Sequence, residues 1–424
     1  MSSQKKIVIV GGGIVGLCSA YFLQLQGHEV HVVEKNDFGN GCSSGNAGMV
    51  VPSHFIPLAA PGTMKLAMKW MFNPESPFTV KPRLDREFWD WSWQFYRSAT
   101  AKHVKQSGPL LMELNTKSRA LYQELSSFLP FDFQQKGLFM LCKTEQGFKE
   151  EIEVAHQAQA LGMEARVLSR EEAQRMEPGV ELDIAGAVYF PLDAHLTPPT
   201  FLKSLYQHLK NQGVVFHQQQ TITGIQYNKR QVTSLVSADQ HFEADEFIIA
   251  SGAWSSALVK DLQAHIPMLA GKGYSFMLKT PSVTPSICAI MTEARVTLTP
   301  MQQGIRFAGT MEMVGLDQRI NQRRLQGIYK AIPQYYPQFG AQNFSSAPVW
   351  SGLRPCSPDG LPYVGRLGHY DNLTVATGHA MMGLSLGPIT GKLISQVVAD
   401  ETPEVDLTLL HPDRFYRKRK SAYA

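Results

Sequence analysis

The chain has 424 residues, 44% of them hydrophobic, which is ordinary for a globular enzyme and sufficient for two or three domains' worth of core. Its formal charge is +4, but five positive charges lie in the last eleven residues, which leaves residues 1–413 at −1. This balance argues against a basic nucleic-acid groove. Five scattered cysteines without a C-x-x-C pair argue against a disulfide framework and a zinc site.

The first predicted elements form a strand–helix–strand unit near the N-terminus. Residues 7–10 are a β-branched run typical of a buried parallel strand. Residues 14–25 then carry apolar side chains at helical spacing, and Gly27 can end the helix. Residues 30–34 predict the second strand, which completes a compact βαβ unit.

The turn after the first strand carries the motif G-x-G-x-x-G. Gly11 allows a tight turn, Gly13 lets the backbone approach a pyrophosphate, and Gly16 lets the helix pack closely on the sheet. The helix N-terminus adds free N–H groups and the positive end of its dipole. Glu34 follows Gly16 by 18 residues, where a carboxylate can accept hydrogen bonds from a ribose diol. The combination predicts a nucleotide-binding site.

An uncharged stretch, residues 7–23, follows Lys5 and Lys6 and shares this pattern with a secretory signal peptide. Its three consecutive glycines would weaken an apolar helix, and no small-residue cleavage pattern precedes Glu34. Elsewhere no segment approaches the ~18 uninterrupted apolar residues that a membrane-spanning helix needs. We therefore expect a soluble, cytoplasmic protein.

The middle of the chain holds a band of five aromatic residues within residues 89–96, where a helix is predicted. Such a band is either a membrane-facing surface or core beneath a substrate domain, and core is the interpretation we favour. The remaining predicted elements of this region are strands over residues 136–142, 214–216, 221–227 and 246–250 and a helix over residues 196–212.

A second glycine-rich turn lies in the C-terminal third. Residues 373–376 predict a strand that runs into the turn, and a helix follows through residues 389–397 with Pro388 in its first turn. This helix N-terminus, distant in sequence from the first, is also built like an anion site. A reduced flavin ring carries negative charge that a helix dipole can stabilise, whereas a nicotinamide has little use for a second such site. Two glycine turns therefore favour FAD over NAD.

Several motifs accompany the N-terminal fingerprint: SSGNAG at 43–48, ASGAWS at 250–255, GLRP at 352–355, PDGLPYVG at 358–365 and TGH at 377–379. With them the chain resembles, over nearly its whole length, the amino-acid-oxidising FAD enzymes that include D-amino-acid oxidase, glycine oxidase and sarcosine oxidase. Residues 76–85 and 272–275 resemble most closely the bacterial D-amino-acid dehydrogenase branch.

The resemblance implies an α/β fold, α+β overall. A Rossmann-like FAD-binding domain with a mixed parallel sheet is expected to be interleaved with a substrate domain built on an antiparallel sheet. The expected FAD-binding segments are 1–80, 144–262 and 345–412, the expected substrate-domain segments are 81–143 and 263–344, and a basic tail occupies 413–424.

The resemblance also implies which residues contact the cofactor and the substrate. Arg354 would anchor the substrate carboxylate, and two weaker candidates for the substrate pocket are His54 and Tyr274. Glu34 would bind the adenosine ribose and Ile222 would touch the adenine side, while His379 is interpreted as a structural histidine at a strand end. The expected cofactor contacts are Gly11, Gly13, Ile14, Val15, Gly16, Glu34, Lys35, Ser43, Ser44, Asn46, Ala47, Gly48, Met49, Ile222, Gly252, Trp254, Gly352, Arg354, His379, Met382, Gly383, Leu384 and Ser385.

The implied reaction is oxidation of a D-amino acid, with hydride passing from Cα to flavin N5. The resulting imine hydrolyses to a 2-oxo acid and ammonia, and the electrons pass to a quinone or another acceptor. Two departures from the family's patterns matter. Glycine oxidase carries a second arginine in the segment that matches residues 380–382, which here contains none, and Cys356 does not lie in the pattern by which sarcosine oxidases tether their flavin. We therefore expect non-covalent FAD and a substrate other than glycine or sarcosine.

Three alternatives remain open at this point. The same carboxylate clamp would admit D-proline or hydroxyprolines, and a glycine- or sarcosine-type oxidase is disfavoured rather than excluded. A flavin-binding partner subunit without turnover is the alternative from another class, and Arg354 argues against it because a scaffold has no use for a carboxylate clamp. The basic tail is either a frayed, solvated terminus or a peripheral contact with the anionic inner face of a membrane.

Overall fold

The computed structural model describes residues 4–64, 73, 75–81, 83–262, 264–344 and 347–416. The helices of this part are α1 (Ile14–Leu25), α2 (Arg86–Ser98), α3 (Ala101–Ser126), α4 (Glu145–Ala160), α5 (Arg170–Met176), α6 (Pro198–Asn211), α7 (Ser255–Leu258), α8 (Gln322–Tyr335) and α9 (Gly387–Val398). The strands are β1 (Lys6–Val10), β2 (Glu29–Val33), β3 (Met49–Val50), β4 (Phe78–Val80), β5 (Phe133–Gln134), β6 (Leu138–Cys142), β7 (Arg166–Ser169), β8 (Gly186–Phe190), β9 (Ala194–Leu196), β10 (Val215–His217), β11 (Gly224–Asn228), β12 (Gln231–Val236), β13 (His241–Glu243), β14 (Glu246–Ile249), β15 (Leu269–Leu278), β16 (Cys288–Met291), β17 (Val296–Met301), β18 (Gly304–Met313), β19 (Val349–Cys356), β20 (Tyr363–Arg366) and β21 (Leu373–Thr377).

A six-stranded sheet contains the N-terminal βαβ unit. Its order is β10-β2-β1-β14-β21-β20, and all its strands are parallel except β20, which runs antiparallel to β21. Both faces are covered: Ile7 and Ile9 of β1 pack in a core with α1 and α9, while Val8 packs in the opposite core with β12. A strand that is buried on both faces carries apolar side chains on both, and this explains the continuous apolar run at residues 7–10.

The second large sheet has nine strands and is mainly antiparallel. Its order is β19-β15-β18-β17-β16-β6-β8-β7, with β4 beside β18, and the pairs β16–β6 and β18–β4 are parallel. Phe276 of β15 and Phe307 of β18 pack against Tyr329 of α8, which covers one face. The predicted combination of a Rossmann-like sheet with an antiparallel substrate-domain sheet is confirmed.

The sheets divide the chain differently from the predicted segments. β7 and β8 lie within 144–262 and β19 lies within 345–412, yet all three belong to the nine-stranded sheet. α3, predicted for the substrate domain, instead packs against α1 and α9 through Leu114 and Tyr122. Single strands that change sheets carry no compositional signal, which is why segment boundaries could not be located from the sequence.

The aromatic band divides between core and surface. Phe88, Trp91 and Phe95 of α2 are buried, and the Trp91 indole N–H donates to the Cys356 carbonyl (2.8 Å). Trp89, Trp93 and Tyr96 lie on the opposite face of the helix and are exposed, so for them the predicted core position is wrong. Among the helices of the described residues, none combines the length and apolar character needed to cross a bilayer.

The start of the predicted basic tail is part of the folded protein. Arg414 donates to both carboxylate oxygens of Asp359 (2.7 and 2.9 Å), and its guanidinium lies 4.0 Å from the centre of the Tyr363 ring. Arg414 is therefore a structural residue and not a free tail charge, which corrects its assignment to the tail. The other four tail charges, at residues 417–420, lie outside the described residues.

The parallel strands bring the two glycine turns together. β1, β14 and β21 are parallel neighbours in the sheet, so their carboxyl ends reach the same edge. At this edge lie Gly11 after β1, Ser251 after β14 and Gly378 after β21. Ligands of open α/β sheets bind outside the carboxyl ends of the strands, and the functional site is expected there.

Candidate active site

A cavity of about 720 Å³ opens at this edge, between the six-stranded sheet and β19 of the nine-stranded sheet. Its volume lies in the usual range for small-molecule sites. The predicted cofactor residues that line it are Gly11, Gly13, Ile14, Val15, Glu34, Lys35, Ser43, Asn46, Ile222, Gly252, Trp254, Arg354, His379, Gly383 and Leu384. The predicted residues outside its lining are Gly16, Ser44, Ala47, Gly48, Met49, Gly352, Met382 and Ser385.

The three glycines of the fingerprint serve different purposes. Gly11 has φ +112°, and a Cβ there would lie 2.5 Å from the Ala250 carbonyl oxygen. A Cβ on Gly16 would overlap the Gly11 carbonyl, so both positions are glycine because the protein itself leaves no room. At Gly13 the nearest protein atom to a Cβ is Ser43 Oγ, at 3.3 Å, and a side chain there would extend into the cavity. Gly13 thus leaves an open cradle in the cavity wall that the fold itself does not require.

Polar groups are arranged around the start of α1. The Ile14 N–H donates to Ser43 Oγ (3.0 Å), which caps the helix from a distant loop. The Glu34 carboxylate is oriented by two backbone donors, the Gly12 N–H (2.8 Å) and the Asn36 N–H (3.0 Å). Because Glu34 also lines the cavity, its remaining lone pairs can accept hydrogen bonds from hydroxyl groups there.

Lys35 and Trp254 form the wall beside Glu34. The Lys35 Nζ lies 3.0 Å from the centre of the Trp254 ring, an arrangement for a cation–π contact. Burial lowers the pKa of the Lys35 ammonium from its usual value. This pair places an aromatic surface and a positive charge in the cavity wall beside Glu34.

The second helix terminus, that of α9, is held by α3. The Tyr122 hydroxyl donates to the Leu384 carbonyl (2.6 Å), and Ser118 Oγ donates to the Ser385 carbonyl (2.5 Å). Ser385 Oγ itself donates to Asn115 Oδ1 (2.5 Å) and accepts the Val51 N–H (2.9 Å). Ser385 therefore uses its hydroxyl within the protein, whereas Gly383 and Leu384 line the cavity just before α9 begins. Sequence reasoning missed these α3 residues, although their spacing of three and four places polar groups on one helical face.

His379 has the structural position that the sequence suggested. Its Nε2 lies 2.9 Å from Thr390 Oγ1, within the first turn of α9, and burial lowers its pKa to about 3. The ring is therefore neutral at neutral pH and fixes the start of α9 to the strand end.

Arg354 is a second positively charged residue of the cavity lining, besides Lys35. It lies on β19, directly opposite Gly271 of β15, and its guanidinium occupies the space above Gly273, where any Cβ would overlap it. One of its nitrogens donates to the Thr310 carbonyl (2.6 Å), and among the described residues it forms no ion pair. Burial lowers its pKa from the usual value. Thr310 has φ +69°, a strained conformation for a β-branched residue, at the point that aims its carbonyl at Arg354.

The other two candidates for the substrate pocket lie outside the cavity lining. Tyr274 pairs with Ser351, three residues before Arg354 on β19, and this odd separation directs it to the opposite face of the sheet. There its buried hydroxyl donates to Glu312 and accepts the Asn321 N–H (2.9 Å). His54 Nδ1 lies 3.2 Å from Ser53 Oγ, and burial and Arg295 lower its pKa to about 4. The structure thus does not bring either residue to Arg354.

Several lining residues were not expected from the sequence. The strand predicted over 221–227 begins only at Gly224, and residues 220–223 line the cavity. Trp350 lies against Gly45 and Gly352, two glycines whose missing side chains make room for its indole. Cys42 accepts the Leu353 N–H (3.4 Å) at the free edge of β19. Loop conformation and cross-sheet contacts decide these positions, and neither has a sequence signature.

The residues present fit an FAD molecule. The Gly13 cradle and the start of α1 suit a pyrophosphate, Glu34 suits a ribose, and the start of α9 with Gly383 suits the negatively charged end of a reduced flavin ring. Arg354 then remains for an anionic substrate group.

Comparisons with known proteins identify the family to which the chain belongs. D-amino acid dehydrogenase of Helicobacter pylori (strain ATCC 700392 / 26695) is 28% identical over 98% of this chain and 100% of its own length. D-amino acid dehydrogenase of Vibrio atlanticus (strain LGP32) is 30% identical over 94% of this chain and 97% of its own length. The crystal structure of glycine oxidase from Geobacillus kaustophilus has a TM-score of 0.76 at 22% identity, over 97% of this chain and 99% of that one. The profile of the DAO family, FAD dependent oxidoreductase, matches residues 6–397. The chain therefore belongs to the DAO family of FAD-dependent oxidoreductases, with FAD as its cofactor.

Proposed function

We propose that the protein is a D-amino-acid dehydrogenase, which oxidises a D-amino acid to a 2-oxo acid and ammonia. The observation that carries the proposal is the guanidinium of Arg354, which lines the cavity and forms no ion pair among the described residues. A positive charge that faces a cavity and is bonded only to the neutral Thr310 carbonyl and Met311 sulfur is stabilised by an anionic ligand, and a carboxylate matches its planar fork. The names of the relatives, which are 28–30% identical, support the choice of D-amino acids.

The chain's own residues would act mainly by positioning. Arg354 would fix the carboxylate, and Gly273 leaves the space in which the guanidinium lies. Within the described residues, the cavity lining contains no buried carboxylate–histidine pair beside Arg354, and none is needed if the amine enters neutral. Bound FAD supplies the acceptor for the hydride that leaves Cα. The imine product then takes up water and releases ammonia.

We further propose that FAD is held without a covalent bond. Cys356 is fully buried outside the cavity lining, and burial raises its pKa to about 12. Cys42 lines the cavity, but burial raises the pKa of its thiol as well. Neither sulfur is a ready nucleophile, because attack requires the thiolate.

The electron acceptor in this proposal is a quinone or another acceptor rather than dioxygen, and a peripheral contact with the inner face of the membrane would bring the protein to it. The resemblance to the dehydrogenase branch supports this choice.

The test is a substrate panel on the purified, FAD-loaded protein. We expect an artificial dye to be reduced with D-amino acids and not with their L-enantiomers, and peroxide formation in air to be much slower than dye reduction. Higher kcat/KM for D-proline or hydroxyproline than for every linear D-amino acid would instead identify an imino-acid dehydrogenase. Peroxide formation at the dye rate would identify an oxidase, and no turnover with any of these substrates would contradict the proposal.

A further inference from the structure

We propose that the exposed aromatic face of α2, with the basic residues around it, docks the protein on an anionic phospholipid bilayer. This inference rests on the membrane contact proposed above and names its surface, but it does not depend on which amino acid is oxidised.

The aromatic face consists of Trp89, Trp93 and Tyr96. Their exposed fractions are 58%, 54% and 62%, and the rings of Trp93 and Tyr96 stack with centroids 6.0 Å apart. Leu84, two residues before α2, is 98% exposed. Large apolar rings with a polar edge are the side chains that settle at the boundary between lipid headgroups and acyl chains. An interfacial helix presents such rings on one face while its other face is packed, as α2 packs through Trp91.

The charges around this face are predominantly positive. Two of the three acidic residues of α2 and its N-cap are in ion pairs, Asp85 with Arg83 and Glu87 with Lys260. The third, Asp90, has its carboxylate 3.1 Å from a ring nitrogen of His265. Four exposed basic residues form no ion pair among the described residues, namely Arg86, Arg97, Lys102 and Lys105. The surface is thus complementary to anionic headgroups.

The end of the described chain lies on the same side of the molecule. A ring nitrogen of His103, in the first turn of α3, is 2.8 Å from the Asp359 carbonyl oxygen. The Asp359 carboxylate is bound by Arg414, so Arg414 lies beside the corner between α2 and α3. The sequence continues from there with Arg417, Lys418, Arg419 and Lys420. These four positive charges therefore follow Arg414 closely in the sequence.

The same charges argue against a second copy of this chain as the occupant. In a symmetric dimer the patch would face itself and bring like charges together, which is unfavourable.

The position of the patch also suits a lipid-dissolved acceptor. Trp91, on the buried face of α2, donates to the carbonyl of Cys356, two residues beyond Arg354. One helix thus separates the proposed docking surface from the carboxylate clamp.

The experiment is cosedimentation of the FAD-loaded protein with vesicles of phosphatidylglycerol and phosphatidylcholine, compared with phosphatidylcholine alone. We expect binding to the anionic vesicles that weakens with salt. The double variant Trp89→Ser/Trp93→Ser should lower the partition coefficient about tenfold, since it removes the aromatic anchors. Phe128→Ser is the matched control, because Phe128 is 50% exposed but lies after α3, beside Tyr21. Replacing the four basic residues at 417–420 with Gln should also weaken binding.

Dye reduction and flavin content, measured on each variant in solution, should equal those of the unaltered protein. This separates loss of docking from loss of fold or of the proposed activity. The inference is overturned if the unaltered protein does not bind anionic vesicles, or if the double variant binds them as well as Phe128→Ser does. It is also overturned if sedimentation shows a dimer that the double variant converts to monomers, because the aromatic face would then be a subunit interface.

Discussion

Arg354 holds a positive charge in the cavity, and its hydrogen-bond acceptors among the described residues are neutral, the Thr310 carbonyl and the Met311 sulfur. In Arg354→Ala a bound substrate carboxylate would lose its partner, which costs roughly 2–5 kcal/mol. We therefore expect kcat/KM for a D-amino acid, and the rate of flavin reduction, to fall by at least about thirtyfold. Anaerobic stopped-flow reduction measures both, and the flavin spectrum and content should stay near normal.

Arg354→Lys serves as the intermediate variant. Lysine keeps the charge but loses the planar fork, so substrate should bind weakly and Cα should be poorly aligned. A wild-type reduction rate and wild-type substrate affinity in Arg354→Ala would place the carboxylate clamp elsewhere in the cavity.

A substitution at Gly13 should affect ligand binding but not folding. A side chain there meets only Ser43 Oγ, at 3.3 Å, and then open cavity. We expect Gly13→Val to fold with nearly unchanged thermal stability as apoprotein but to purify without FAD. The absorbance ratio of flavin to protein measures this, and the melting temperature checks the fold. Gly179→Val is the control, because Gly179 is exposed outside the cavity lining and a Cβ there would have no atom within 4 Å. Full flavin occupancy in Gly13→Val would mean that the phosphates lie elsewhere.

At the scale of elements, the start of α9 depends on α3. Tyr122→Phe removes the hydrogen bond to the Leu384 carbonyl, and leaving that buried acceptor unpaired costs about 1–3 kcal/mol. Because Leu384 lines the cavity, we expect FAD to bind severalfold more weakly, which fluorescence titration of the apoprotein measures. Tyr189→Phe is the control for loss of a tyrosine hydroxyl, because it removes a more exposed hydrogen bond, to the Lys136 carbonyl (3.0 Å), away from the cavity. Equal FAD affinity in the two variants would show that the α3 contact does not support the site.

The elements also show what the sequence could predict. The sequence predicts α1 closely, because the apolar spacing and the glycines before and after it are local signals. It does not predict the orientation of Tyr274, which depends on pairing with β19 and on a bulge between β15 and β18 near residue 273. A shift of one residue in such a ladder moves a side chain to the other face of the sheet. Contacts of this kind join residues far apart in the chain and leave no local pattern.

At the scale of the whole molecule, the cavity is walled by both large sheets, through Gly13 and Glu34 on one side and Arg354 on the other. FAD should therefore stabilise the two sheets together. A ligand that binds the native state alone adds about 2.7 kcal/mol to the free energy of unfolding at a hundred times its Kd. We expect the melting temperature of the apoprotein to rise by a few degrees with excess FAD, in one cooperative transition.

Two controls make this prediction specific. NAD, which lacks the flavin ring that the start of α9 would stabilise, should raise the melting temperature much less than FAD at the same concentration. Gly13→Val should show no shift of the melting temperature with either dinucleotide, since its side chain would occupy the proposed pyrophosphate position.

Acid precipitation of the FAD-loaded protein should release the flavin into the supernatant, because neither Cys42 nor Cys356 is a ready thiolate. Flavin that stays with the precipitated chain would show a covalent bond, and the melting shift would then report chemistry at a cysteine rather than reversible occupancy of the cavity.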